Sequence, residues 1–340
     1  MKVAPTRRTR SRPPGGAEDL PTLKDIEEAE SRIRAYIAPT PLEASASLSR
    51  DLGREVFLKL ETFQPIRVFK IRGALNKLLS LGDSSLRRGV VTASSGNHGF
   101  AIAYASRMFG TKAVICVPQN VNPQKVAAIE EQGAEVVKAG PGYDAAYKNA
   151  VGIARRRGLT FVHAFNDREV IAGQGTCGLE MARQSKGALD AAVVAIGGGG
   201  LISGISIALK GSIEGVKVYG AETKAIPSMY ESLREGKRVL VEPKATIADG
   251  MQAAIPGELT FAAATKYVDR VGLVDDEQLK EAIYDLLVKA RVMAEPAGAS
   301  PLAAIRRPLK DAAGERVALV VSGGNISLDL LKEILNRARP

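Results

Sequence analysis

Six apolar residues, Ala191-Ala-Val-Val-Ala-Ile196, run into four consecutive glycines, Gly197, Gly198, Gly199 and Gly200, and then into the helical pattern Leu201 to Lys210. A short buried strand that ends in glycines and restarts as a helix belongs to parallel α/β units. Glycine lets backbone N–H groups approach a phosphate with no Cβ in the way, and the helix N-terminus behind it adds partial positive charge. Four glycines in a row carry a chain-entropy cost that a plain turn would avoid, so phosphate binding is the expectation. The absence of a following Gly-Lys-Ser/Thr excludes a P-loop. A dinucleotide site stays open: Gly198-x-Gly200-x-x-Ser203 is imperfect, but Glu222 lies about twenty residues on. A single phosphate fits at least as well.

The rest of the chain repeats the alternation. Arg54 to Leu60, Val90 to Thr92, Lys112 to Val117, Glu135 to Lys138, Thr160 to His163, Lys217 to Glu222 and Arg316 to Val321 read as strands. Helical patterns lie between them, from Thr22 as N-cap, from near Lys70 or Gly73, and over Gly99 to Phe109, Pro123 to Gln132, Tyr143 to Arg157, Gly173 to Gln184 and Glu277 to Met293. At 340 residues and 45% hydrophobic content the chain has ample core for two lobes.

Composition removes several function classes. Two cysteines, Cys116 and Cys177, and two histidines, His98 and His163, exclude a disulfide framework, a thiolate zinc cage and a histidine-rich metal site. Cys116 reads as inert core, and Cys177, near the expected start of the Gly173 helix, as structural. No apolar run reaches the roughly 18 residues of a membrane helix. About half of the net charge of +10 comes from Lys2, Arg7, Arg8, Arg10 and Arg12, ahead of Pro13-Pro14. With no aromatics between them, these residues read as a disordered, solvated tail over 1–18, not a nucleic-acid arm.

Three further segments complete a constellation. Gln64-Pro-Ile-Arg-Val-Phe69-Lys70-Ile-Arg-Gly-Ala74 puts a lysine at a loop-to-helix junction, Thr92-Ala-Ser94-Ser95-Gly-Asn97-His98-Gly99 is a polar strand-to-helix turn, and Ser322-Gly-Gly-Asn325 ends a strand. With Gly197 to Gly200 and Ala172-Gly-Gln-Gly-Thr176, in this order over roughly residues 22 to 335, the chain resembles the fold type II pyridoxal-phosphate enzymes. The nearest branch is that of threonine dehydratase and serine racemase. The resemblance implies a tryptophan-synthase-β-like α/β fold of two lobes, each a largely parallel twisted sheet flanked by helices. A small domain is expected over 89–162 and a large one over 19–88 plus 163–340. A cytoplasmic homodimer or homotetramer acting on a small amino acid, with no nucleic-acid or membrane partner, is the corresponding setting.

The resemblance also implies roles. Lys70 would hold pyridoxal 5'-phosphate as a Schiff base and move the substrate α-proton, with Phe69 beside the ring. Gly197 to Gly200 and Leu201 would take the phosphate, Asn97 the ring's 3′ oxygen, and Ser322 the pyridine nitrogen. Ser94, Ser95, Asn97 and His98 would cradle the substrate, with Ser95 as the acid on the opposite face. The implied reaction is β-elimination from a 3-hydroxy amino acid to a 2-oxo acid and ammonia, with racemisation as the alternative. The chain departs from the pattern at Ile66-Arg67-Val68, where relatives read Thr-Gly-Ser or Thr-Gly-Ala, and at Phe100, Ala253 and Ser228. Arg67 would either place a cation near the site's mouth, opening the way to an acidic or larger substrate, or simply face solvent. Ser228 stands where the racemase branch has an acidic partner for Glu222 in a divalent-cation site, so no metal is expected. The chain stops at Pro340 soon after the last expected helix, which fits the short, catabolic type.

Overall fold

The computed structural model describes residues 17–312 and 314–337. Its strands are, in chain order, β1 (Leu42–Ala44), β2 (Glu55–Leu60), β3 (Val90–Ala93), β4 (Ala113–Val117), β5 (Glu135–Lys138), β6 (Thr160–Phe161), β7 (Ala191–Ala195), β8 (Lys217–Thr223), β9 (Arg270–Val274) and β10 (Arg316–Val321). They form a six-stranded sheet, β1-β2-β10-β7-β8-β9, and a four-stranded sheet, β5-β4-β3-β6. Every pairing is parallel except β1 with β2. The smaller sheet is built entirely from the stretch between Val90 and Phe161. Of the tail expected over 1–18, residues 1–16 lie outside the described residues, and Ala17–Asp19 form one 3-10 turn.

The all-apolar strands follow from burial on both faces. In β10, Val317, Leu319 and Val321 enter one core while Ala318 and Val320 enter another. In β7, Ala191 and Val193 divide from Ala192 and Val194 in the same way. Side chains two apart share a face, so a strand covered by helices on both sides has no position left for a polar residue.

The Arg168–Gln184 helix differs from the expectation that it begins at Gly173. The Asp167 carboxylate accepts from the N–H groups of Glu169 and Val170, which caps the helix five residues earlier. Its glycines allow close packing. A Cβ at Gly173 would stand 2.6 Å from the Arg72 carbonyl oxygen, and one at Gly204 on the Gly200–Ser212 helix 2.4 Å from the Gly175 nitrogen. Cys177 therefore lies mid-helix and buried, and burial pushes its thiol well above the usual value.

Beneath the Lys70–Leu79 helix lies a sealed group of charges. Arg72 is 1% exposed and donates twice to each of two carboxylates: to Glu61 at 2.7 and 2.8 Å, and to Glu180 at 2.7 and 2.8 Å. Lys59, fully buried on β2, donates to Glu180 at 2.6 Å and to the Thr40 carbonyl at 2.7 Å. Burial works against the charge on Glu61, but Arg72 and then Lys59 hold its carboxyl at about 2. Two cations thus balance two anions where sheet, loop and two helices meet.

Replacing Arg72 with Met should strip Glu61 of its hydrogen-bonded cation, leave Glu180 with Lys59 alone, and lower stability by about 3–5 kcal/mol in urea unfolding. A loss below about 1 kcal/mol would show that the cluster is dispensable. Because the folded carboxyl of Glu61 is depressed, its contribution in the wild-type chain is present above its ordinary value. It should disappear only as the pH falls toward about 2.

Candidate active site

The expected site segments all leave the carboxyl ends of parallel strands: Glu61 to Lys70 after β2, Ser94 to Gly99 after β3, Gly197 to Gly200 after β7 and Ser322 to Asn325 after β10. This edge is where open α/β sheets bind ligands. A hollow of about 950 Å³ opens at the opposite ends of the strands, among Arg54, Asp190, Lys217 and Arg316, but none of the residues singled out from the sequence lines it.

Lys70 starts its helix after a segment fastened to the end of β10. Phe69 N–H donates to the Ser322 carbonyl at 3.0 Å, Val68 bridges Gly323, and Gly324 N–H donates to the Arg67 carbonyl at 2.9 Å. Arg67 makes this turn with φ of 60°, the left-handed region that favours glycine, and its guanidinium reaches toward the Thr62 carbonyl at 3.5 Å. The Lys70 Nζ donates to the Ala164 carbonyl at 3.1 Å and lies 5.1 Å from the centroid of the Phe69 ring. Burial drives the ammonium down to about 8, partly opposed by the Glu295 carboxylate. Near neutral pH the amine therefore has a substantial neutral, nucleophilic fraction.

The tetraglycine turn is held from outside. Thr260 Oγ1 donates to the Gly198 carbonyl at 2.7 Å. A Cβ on Gly198 would fall 2.2 Å from Phe165 Cδ1, and one on Gly199, whose φ is +90°, 2.8 Å from Met229 Cε. Among the described residues, no carbonyl accepts from the backbone N–H groups of Gly197 to Gly200 or of Leu201. These donors point to an anion.

Ser94, Ser95 and Asn97 lie half-buried on the turn before the Asn97–Met108 helix. Gly96 N–H donates to Ser94 Oγ at 3.3 Å, and a Cβ on Gly99 would stand 2.2 Å from the Ser94 carbonyl oxygen. Asn97 Nδ2 donates to Glu295 at 2.9 and 3.1 Å, and its Oδ1 accepts from Asn325 Nδ2 at 2.9 Å. His98 sits beneath the turn, 3% exposed, with Nε2 3.5 Å from the Val162 carbonyl oxygen and Nδ1 unpaired. Burial, and then nearby Lys70, hold its ring well below the usual value, so it is neutral. Ser322 is buried at the end of β10.

Several contributors escaped the sequence reading. The stretch Val162 to Asn166 supplies the carbonyl for Lys70 and the ring against Gly198. It is braced by His163 Nδ1, which accepts from Phe165 N–H at 3.2 Å and Asn166 N–H at 2.9 Å. Glu295 was not singled out either, and Asn325 was read only as the end of the Ser322 motif, with no role assigned. Conversely, Gly173 and Gly175, read as part of the site constellation, pack one helix on its neighbours. Glu222 is spoken for: its two oxygens accept from Met229 and Tyr230 N–H, both at 2.8 Å, so it is not free to bind a ribose.

The sequence matches the family described as pyridoxal-phosphate dependent enzyme over residues 33–323. The chain belongs to this family. It is 44% identical over 316 residues to an L-threonine ammonia-lyase of Thermotoga maritima, a match covering 93% of this chain and 78% of that protein. It is 38% identical over 320 residues to a serine racemase of Dictyostelium discoideum, covering 93% and 98% respectively. In three dimensions it is similar to maize serine racemase, with a TM-score of 0.88, 33% identity, and 93% and 97% of the two chains covered. The two-sheet α/β architecture is therefore that of fold type II, and the cofactor is pyridoxal phosphate.

The residues present fit that group. A primary amine of lowered basicity, hydrogen-bonded to a carbonyl and in no ion pair among the described residues, suits capture of an aldehyde. The free N–H groups at a helix start suit a phosphate, and the glycines leave room that a Cβ would fill.

Gly198→Ala tests the cradle. The added methyl should displace Phe165 or the turn, cost about 1–3 kcal/mol of stability, and weaken cofactor retention more than tenfold. Thermal unfolding with and without added pyridoxal phosphate measures both effects, and an unchanged cofactor-dependent gain in Tm would refute this account of the turn.

Proposed function

We propose that this chain is a pyridoxal-phosphate-dependent ammonia-lyase that converts L-threonine or L-serine to a 2-oxo acid and ammonia. The single observation that carries the reading is the Lys70 amine, held at about 8 at the strand edge and tied through Phe69 to Ser322. The likeness to the Thermotoga L-threonine ammonia-lyase supports the substrate class.

In this reading Lys70 holds the cofactor, with Phe69 beside its ring and the N–H groups of Gly197, Gly198, Gly199, Gly200 and Leu201 on its phosphate. Ser322 would serve the ring nitrogen and Asn97 the ring oxygen. When bound, the cofactor draws electrons from the substrate α-carbon. The Lys70 amine would take the α-proton of the substrate. A serine opposite the ring nitrogen, in place of a carboxylate, gives no support to a protonated ring, which favours early loss of the β-hydroxyl over a long-lived carbanion. The substrate carboxylate rests on Ser94, Ser95 and the N–H groups that open the Asn97 helix, above the neutral ring of His98. The β-hydroxyl and amino groups leave as water and ammonia, and the water taken up on hydrolysis supplies the keto oxygen. The Val90–Phe161 sheet serves as the small lobe, bounded near 89 and 162, in a cytoplasmic homo-oligomer.

A second reading, amino-acid racemisation, rests on Ser95: it stands on the turn that closes the site from the smaller sheet, while Lys70 comes from the larger, so two proton carriers could serve two faces. The likeness to the Dictyostelium serine racemase supports it as a side activity.

Purified holoenzyme should release 2-oxobutanoate from L-threonine and pyruvate from L-serine. Lys70→Ala should lose the visible absorbance of bound cofactor and at least a thousandfold in turnover while remaining folded. Full lyase activity in that variant would defeat the assignment. Ser95→Ala should abolish D-serine formation while lowering pyruvate release mainly through a raised KM, as chiral chromatography of the products and steady-state kinetics would show. Equal loss of both activities would place Ser95 in substrate binding alone.

A further inference from the structure

Glu295 is a buried carboxylate whose position calls for a reason. It stands at the N-cap of the Pro296–Arg306 helix without capping it through its side chain, and it is 5% exposed. Both oxygens turn to Asn97 Nδ2, at 2.9 and 3.1 Å. The backbone pins it as well, since Glu295 N–H donates to the Gly323 carbonyl at 3.0 Å and a Cβ on Gly323 would lie 2.6 Å from Oε1.

The consequence falls on Asn97. An amide can sit either way round, and here both ends are specified: a carboxylate can only accept, so it takes the nitrogen, while Asn325 Nδ2 donates to the oxygen at 2.9 Å. Asn325 Nδ2 also donates to the Ile66 carbonyl at 3.2 Å, four residues before Lys70. The two oxygens of one carboxylate subtend too small an angle at Nδ2 to take both of its N–H groups. One N–H therefore remains uncommitted to Glu295.

We propose that Glu295 is a positioning residue: as a carboxylate it fixes the Asn97 amide the right way round, so that an N–H, not a carbonyl, is offered to the cofactor's ring oxygen. The inference rests on the reading of Asn97 and Lys70 given above. The charged groups that bear on Glu295 are Lys70 on its helix, Asp249 in the Asp249–Met251 turn, and Lys125 on the Pro123–Glu130 helix, which is itself paired with Asp249 at 2.7 Å. Burial raises the carboxyl to about 7 against the pull of the Asn97 hydrogen bond. Below that pH Glu295 carries a proton, can donate as well as accept, and no longer selects one orientation of the amide.

The test uses holoenzyme and its Glu295→Gln and Glu295→Asp variants. Pyridoxal phosphate dissociation is followed by visible absorbance between about pH 6 and about pH 9, alongside 2-oxo acid release. In the wild type, affinity should rise with pH in two parts, one as Glu295 ionises and one as Lys70 loses its proton. Glu295→Gln should bind about tenfold more weakly near pH 8, lose the lower part of the rise, and move the upper part to lower pH as Lys70 loses its neighbouring charge. Glu295→Asp should restore part of the lower step. If Glu295→Gln misfolds, Asn325→Ala takes its place, with an expected severalfold loss of affinity from the unfixed amide. Binding curves that superimpose on the wild type at every pH, in whichever variant folds, would overturn the inference while leaving the lyase reading intact. A wild-type protein that binds no pyridoxal phosphate would instead end the reading on which it rests.

Discussion

The guanidinium of Arg72 is the point on which the architecture of the site depends. Four of its N–H groups go to Glu61, which follows β2, and Glu180, on the Arg168–Gln184 helix, the fifth goes to Thr176 Oγ1 at 3.0 Å, and Lys59 completes the charge balance from within β2. Taking four charges out of water is costly, and an apolar core of equal volume could match it for stability. The cluster adds directional fixity. Two bidentate contacts leave the guanidinium no freedom to rotate, so the first turn of its helix, with Lys70 two residues earlier, is fixed against both the sheet and the neighbouring helix.

Around that anchor the ionisable groups are set apart by environment. Glu61, beside two cations, is held at about 2, while Glu295, where burial outweighs its Asn97 hydrogen bond and more distant cations, rises to about 7. Lys70 falls to about 8 because burial outweighs the attraction of Glu295, and burial drives His163, which accepts from two backbone N–H groups, down to about 4. Both histidines are neutral at ordinary pH. The exchangeable charge near the cleft thus concentrates on one amine and one carboxylate, a separation of roles typical of proton-transfer sites.

Contiguous features were legible in the sequence. The Tyr143–Arg157 helix and the strands β5 and β10 have the expected bounds, because their periodicity is uninterrupted and bounded by clear turn residues. Lys70, the tetraglycine turn and Ser322 were legible because each lies in a compact motif at the end of a strand. The Arg168–Gln184 helix was cut short in the reading, because glycines that serve close helix contact look like loop residues in a linear sequence. The Pro296–Arg306 helix was hidden by Pro296, Gly298 and an internal Pro301, all buried and tolerated through tertiary packing. The Ala164 carbonyl and Glu295 had no local signal. One acts through its backbone, and each meets its partner, 94 and 198 residues away respectively, only once both sheets have formed.

The position of β10 bears on synthesis. Among the described residues it is the last strand in chain order, yet it lies in the interior of the larger sheet, with β2 on one side and β7 on the other. Until Arg316–Val321 emerges, the nascent chain carries an open slot flanked by two unsatisfied strand edges. The segment ahead of Lys70 likewise has no Ser322 or Gly323 to fasten to before then. Cofactor capture therefore has to await the synthesis of β10, and a product truncated ahead of it would be sticky and inert together.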